Sequence, residues 1–298
     1  MKKWIISLLI IAIILAVIGG ALVIKAASDG SYKVETIENE HTIDEAFSNI
    51  NIKTFSSKIE IKASEDDKCS IKCVEKEKLY HEVTISEDTL VIKQIDNLQF
   101  FEKMFGYNGG LSVTLYLPTN VYNKLTINVS SGSINMGGDL KFESMDLKAS
   151  SGSINIDKII VNGDSIIKTS SGSINAKNTT FSKTTTIDVS SGHVEFEHIR
   201  GESADISVSS GHIDFTDYIL LGHLKVKASS GSIKFKDSDA YTLDIKTSSG
   251  SVKGNLLTPK TFRTHASSGK EDVPNTSGPL CEINTSSGSI IIEVKGVE

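Results

Sequence analysis

From residue 130 onwards the tripeptide Ser-Ser-Gly occurs nine times, with its glycine at Gly132, Gly152, Gly172, Gly192, Gly211, Gly231, Gly250, Gly269 and Gly288. Successive glycines stand 19–20 residues apart, the fixed period of a solenoid. Such a unit is too short for two packed helices. It fits one rung of a parallel β-helix, read as two strands of about five residues and two turns. The residues seven, five and three before each glycine, and two and four after it, are mostly apolar. Around Gly132 these are Leu125, Ile127, Val129, Ile134 and Met136, and around Gly231 they are Leu224, Val226, Ala228, Ile233 and Phe235. Polar residues intervene, so the period is two on both sides of the glycine. The phase breaks at Ser-Ser-Gly, where the chain turns a corner. A corner needing φ > 0 suits glycine, and the two serines are expected to hydrogen-bond the turn backbone.

The position three before each glycine narrows to Val, Ala or Thr (Val129, Ala149, Thr169, Val189, Val208, Ala228, Thr247, Ala266, Thr285), one column of a stack. Rungs bury their inward row only against one another, so none is stable alone. Right-handed winding is expected from the handedness of parallel crossovers. After Gly269 the pattern fails. Lys270 and Glu271 stand where apolar residues should point inward, so this rung is expected to be partly unpaired. Ile291 occupies an outward, normally polar position, and reads as a contact on an end rung where Lys would weaken end-to-end pairing.

Ahead of the repeats, residues 31–120 read as irregular β rungs forming the N-terminal cap. Ile50, Ile52 and Thr54, then Ile59, Ile61 and Ala63, flank Ser56-Ser57 as a degenerate first rung. The regular β-helix occupies residues 121–298, and residues 1–30 an N-terminal anchor with its flank. Residues 4–24 are uncharged, long enough for a transmembrane helix across a hydrocarbon core of roughly 30 Å. Lys2 and Lys3 precede them and acidic residues follow, which places the N-terminus in the cytoplasm and the bulk of the chain outside. A cleaved signal peptide is the rival reading. With Lys2, Lys3 and Lys25 set aside, 28 of the 31 basic residues face 37 acidic ones. That balance argues against nucleic acid. The partners expected are the membrane, through the N-terminal helix, and an envelope component or membrane protein.

Four aromatics crowd into residues 100–107, and Phe100, Phe101, Met104, Phe105 and Tyr107 form either a contact loop for a membrane or partner or, the favoured reading, a lid over the solenoid end. Cys69, Cys73 and Cys281 are odd in number, and Cys69 and Cys73 lie about 13 Å apart on one strand face, so buried free thiols are expected. The one metal candidate is outward: His193 and His212 follow successive glycines, with Glu195 and Asp214 two residues on. Stacked rungs bring them side by side, a set able to hold a zinc-type ion; a solvated polar column is the bland alternative and is preferred. Nine equivalent serines imply a structural role, since a nucleophile needs its own base and oxyanion site. No catalytic residue and no cofactor is indicated, and an enzyme is not expected; a purely structural scaffold is the alternative to a binding module, with a carbohydrate-active β-helix enzyme a distant third.

The segment from Leu111 to Pro118, then Val121-Tyr122 and the run from Leu125 into Ser-Ser-Gly-Ser-Ile, resembles the bacterial β-strand-repeat "putative adhesin" family of unknown function, which includes Lia-type cell-envelope stress proteins of Gram-positive bacteria. The resemblance covers roughly residues 45–298. It implies a β-helix at the cell envelope, without established catalysis and without active-site residues to carry over.

Overall fold

In a computed structural model, residues 35–99 and 110–296 are described. The membrane segment at residues 4–24 and the aromatic residues Phe100, Phe101, Met104, Phe105 and Tyr107 lie outside them. Among the described residues every regular element is a strand, and no helix is long and apolar enough to cross a membrane. The strands are β1 (Ile37–Ile43), β2 (Asn49–Thr54), β3 (Lys58–Ala63), β4 (Cys69–Glu75), β5 (Leu79–Ser86), β6 (Thr89–Asp96), β7 (Ser112–Leu117), β8 (Val121–Ser131), β9 (Ile134–Ser151), β10 (Ile154–Val161), β11 (Ser165–Ser171), β12 (Ile174–Lys177), β13 (Thr180–Ser191), β14 (Val194–Ser210), β15 (Ile213–Ser230), β16 (Ile233–Ser249), β17 (Val252–Leu256), β18 (Thr261–Ala266), β19 (Glu271–Asp272), β20 (Leu280–Ser287) and β21 (Ile290–Val294).

Alternation dictates the stack. Ile154 pairs with Ile134 below and Ile174 above, and Leu147 with Ile127 and Ile167, in parallel register. The inward residues expected around Gly132 and Gly231 are all buried. Like side chains meet like down each column: Phe196, Phe215 and Phe235 stack with centroids 5.6 and 4.9 Å apart. Ile233 has no exposed surface, so Ile233→Ala is expected to cost about 2–5 kcal/mol in denaturant unfolding. A loss below about 0.5 kcal/mol would contradict the inward assignment.

A rung has three ladders, not two strands. Beyond the strand that follows the glycine, the backbone turns through a non-glycine left-handed residue: Asp139, Lys158, Asn178, His198, Asp217 and Asp237 form this column, with φ between 47° and 58°. A third ladder follows, where Ile159 pairs with Leu140, Val161 with Phe142 and Ile199 with Tyr218. At the Ser-Ser-Gly corner the serine hydroxyls face solvent and the backbone makes the ties. Each glycine N–H donates to the carbonyl of the serine before the next glycine in the stack, as from Gly152 to Ser171 (3.1 Å) and from Gly211 to Ser230 (3.0 Å). In the narrow column, Thr169 and Thr285 donate to the carbonyls of Gly152 and Gly250.

At both ends the stacking order departs from chain order. The Ser56-Ser57 rung lies between the Gly132 rung and a rung made of β6 and β7, because β2 pairs with both β8 and β6 and β3 with both β9 and β7. Outside these, β4 runs antiparallel to β7, β5 to β6 and β1 to β4, so the coil reverses and closes. At the far end β16 and β17 pair with β20 and β21, which in turn pair with β18 and β19. The Gly288 rung thus sits inside the stack and the Gly269 rung ends it, paired through β20 and β21. The expectation for Ile291 is thereby corrected: it lies between Lys253 and Asp272, not on the end. Burial explains the order. Cys281, Ile283, Ile290 and Ile292 need neighbours on both sides, whereas Glu271 does not.

Candidate functional site

Three features carry polar chemistry. The first is the outward column of His193, Glu195, His212 and Asp214, set by the strands that follow two successive corners. Glu195 and Asp214 are register partners. His193 Nε2 lies 3.3 Å from Asp214 Oδ2, and the two imidazoles meet edge to face with centroids 6.4 Å apart. The Nδ1 atom of His212 accepts from the backbone N–H of Ser232 at 3.2 Å. The column makes pairs rather than a four-donor cage. At the next corner of the same two rungs lies an ionic group that sequence reasoning missed. His198, at the left-handed corner, is 2.8 Å from Asp217, which also receives Arg200 at 2.9 Å. Hydrogen bonds from Arg200, then His198, hold the Asp217 carboxyl below its usual range. All are partly exposed, where such pairs are worth little individually.

The second is buried, in the antiparallel cap. The Nδ1 atom of His81 is 2.9 Å from Glu75 Oε1, and Nε2 is 2.7 Å from Ser57 Oγ. The backbone N–H of His81 also donates to Glu75 Oε1, Asn39 Nδ2 donates to Glu75 Oε2 at 2.6 Å, and Ser57 Oγ–H donates to Gln94 Oε1 at 3.2 Å. Cys73 lies beside Glu75; burial first, then that carboxylate, pushes its thiol up to about 12. Burial lowers the pKa of His81, against the opposing pull of Glu75. The order Ser57, His81, Glu75 is that of a nucleophile, base and acid. With Ser57 at 0% exposure and His81 at 4% it is sealed from any substrate and offers no site for a reacting carbonyl. Sequence reasoning placed Cys73 on a buried face but missed the cluster, because its members come from four strands and the connection between β3 and β2.

The third is a groove of about 460 Å³ across the serine corner. Its lining includes one register column, Ser207, Lys227, Lys246, Asn284 and His265, one residue from each of five stacked rungs. Corner serines line it as well. Lysines directly opposite repel, and here Lys246 is partly neutralised by Asp244 at 3.3 Å. The groove is a linear cationic and hydroxyl-lined track on an acidic chain. The Ser-Ser-Gly glycines position it; the loop residues from Phe100 to Tyr107 are outside the described residues.

A family model described as Toastrack DUF4097 matches residues 47–293. Solved structures similar to this chain include a "putative adhesin" from Bacteroides fragilis (14% identity, covering 87% of this chain and 97% of that one, TM-score 0.49) and another from Parabacteroides distasonis (12% identity, 87% and 98%, TM-score 0.47). A "putative lipid binding protein" from Parabacteroides distasonis is similar at 14% identity, 86% and 97% coverage and a TM-score of 0.37. No curated protein matches the chain.

Proposed function

The chain belongs to the Toastrack DUF4097 family, and from that premise we propose that it is a non-catalytic binding protein displayed on the outer side of the cell membrane, held there by residues 4–24 and serving envelope-stress sensing or adhesion. The observation that carries the reading is the groove at the serine corner. A track of single residues at strand spacing, cationic at Lys227 and Lys246 and lined by corner serines, suits a linear anionic or hydroxyl-rich envelope polymer, which can contact successive rungs about 4.8 Å apart. Repetition favours many weak contacts over one strong one. The chain enters the solenoid through β1 in the antiparallel cap, and the connection between β6 and β7 that contains Phe101 leaves from the same cap. In this reading the cap faces the membrane and the groove lies roughly 40 Å farther out, at strand spacing.

Photo-crosslinking in intact cells tests it, with a photoreactive residue placed at Lys227 or at Phe101. A discrete envelope-polymer or protein adduct from position 227 is expected. Lipid adducts from position 101 with nothing from position 227 would remove the binding role from the groove and leave the solenoid as a scaffold.

A further inference from the structure

Among the described residues, one set of metal-ligating side chains of three different chemistries converges: a ligand atom each from Cys73, Glu75 and His81, all within 4.8 Å of one another and all buried. Cys73 and Glu75 sit two apart on one face of β4. His81 is brought to them by the reversal into β5, which is closed by the bridge between Lys76 and Leu79.

The surroundings of His81 suit a metal ligand. Gln94 Oε1 accepts from the backbone N–H groups of Phe55 (2.6 Å) and Ser56 (3.0 Å), so its carbonyl is turned toward that corner. Ser57 Oγ lies within hydrogen-bond reach of both this oxygen, at 3.2 Å, and His81 Nε2, at 2.7 Å. With Nδ1 on a cation, Nε2 carries the ring proton and donates it to Ser57, whose hydroxyl turns its own proton to Gln94. Nδ1 itself faces the Glu75 carboxylate at 2.9 Å, so the two ligand atoms already stand side by side.

We propose that Cys73, Glu75 and His81 are the protein ligands of a zinc-type divalent cation in the cap, with Ser57 as the outer partner that fixes the imidazole. Thiolate and carboxylate together cancel the two positive charges, so the loaded centre is neutral in an interior that tolerates no net charge. Thiolate and imidazole select a borderline-soft ion over magnesium or calcium. A metal-bound histidine nearly always donates its second N–H to an oriented acceptor, and Ser57, relayed to Gln94, is that acceptor already in place. Binding releases the Cys73 proton, so affinity rises with pH. The ion would tie β4 to β5 where the coil reverses, and stabilise the end that closes the stack. This inference is independent of the groove and of any ligand it takes.

The test uses the full chain, untagged and in detergent micelles, stripped with chelator and titrated with Co²⁺ alone. One equivalent is expected to bind and to give a thiolate-to-cobalt charge-transfer band that Zn²⁺ bleaches. Cys73→Ser, nearly isosteric, should abolish the band with circular dichroism unchanged, and Ser57→Ala should keep the band while weakening binding about 10–100-fold. A double variant, His193→Ala with His212→Ala, should bind as well as the parent. Absence of a saturable one-equivalent band from the folded parent overturns the proposal. So does a band that survives Cys73→Ser, or binding lost with the surface histidines.

Discussion

Gly211→Ala is expected to destabilise the solenoid by more than the roughly 0.5–3 kcal/mol of an ordinary substitution. A Cβ at this position would lie 1.6 Å from the carbonyl oxygen of Gly192 and 2.7 Å from its carbon. Both are backbone atoms of the adjacent rung. Moving them opens the ties from Gly192 to Ser210 and from Gly211 to Ser230, each 3.0 Å. A φ of 146° adds strain that a residue with a side chain bears poorly. Close approach is the common cause at this corner: at all nine repeat glycines a Cβ would come within 1.6–2.2 Å of a backbone oxygen, whereas φ between +20° and +160° occurs at Gly192, Gly211, Gly231, Gly269 and Gly288 and not at the other four. Gly137→Ala is the control. There the nearest atom would be Asp157 O at 3.5 Å, an ordinary contact, and the change should stay within about 0.5 kcal/mol of neutral. Denaturation midpoints of the two variants check the difference, and equal losses would refute the close-packed corner.

That contrast shows what a single sequence exposes. The recurrence of Ser-Ser-Gly and the period-two rows give the ladders on either side of the corner, because each inward position is buried on one face against its own copies. Val129, Ala149 and Thr169 betray a column for the same reason. Cys69, Cys73 and Cys281 were legible as buried and free. The third ladder was not, because its corner is turned by residues of mixed type. Asp139, Asn178, Asp217 and Asp237 carried a usable signal, since short polar side chains tolerate the left-handed region, but Lys158 and His198 blur it and Asp139 stands seven rather than six residues beyond its glycine. The rung order was hidden for a different reason. A period states how long a rung is and nothing about which rung lies next to it. The groove column inherits that ambiguity, since His265 follows Asn284 in the stack and precedes it in the chain. Cys73, Glu75 and His81 meet only because a strand reverses, and no periodicity reports a reversal.

Removing residues 280–298 should strip protection from a segment that the truncation leaves intact. If rungs stacked in chain order, β18 would pair with β16, and losing the last rung would merely shorten the coil. In the observed order β20 separates them: Leu243 and Ile245 pair with Cys281 and Ile283, which pair with Phe262 and Thr264. The chain bypasses the intervening slot through residues 257–260, and buried chemistry fixes that bypass. Lys260 Nζ lies 2.8 Å from Asp239 Oδ1 and donates to Ala240 O at 2.7 Å and Thr258 Oγ1 at 2.9 Å. Its carbonyl accepts from Thr276 Oγ1 at 2.7 Å. With the anchor set, β18 cannot drop onto β16 without breaking a buried ion pair, at a penalty of several kcal/mol. Nor would Glu271, the register partner of Ile290, fill the apolar slot that Ile290 leaves. Backbone amides at Phe262, Thr264 and Ala266 are therefore expected to exchange at rates near those of unstructured chain, while residues 121–230 keep their slow exchange because each rung depends chiefly on its immediate neighbours. Hydrogen exchange read by mass spectrometry separates the two orders. Retained protection at residues 261–266 would mean that the Gly269 rung docks directly on the Gly250 rung, and that the permuted stack is a choice of the intact chain rather than a constraint of the anchored crossover.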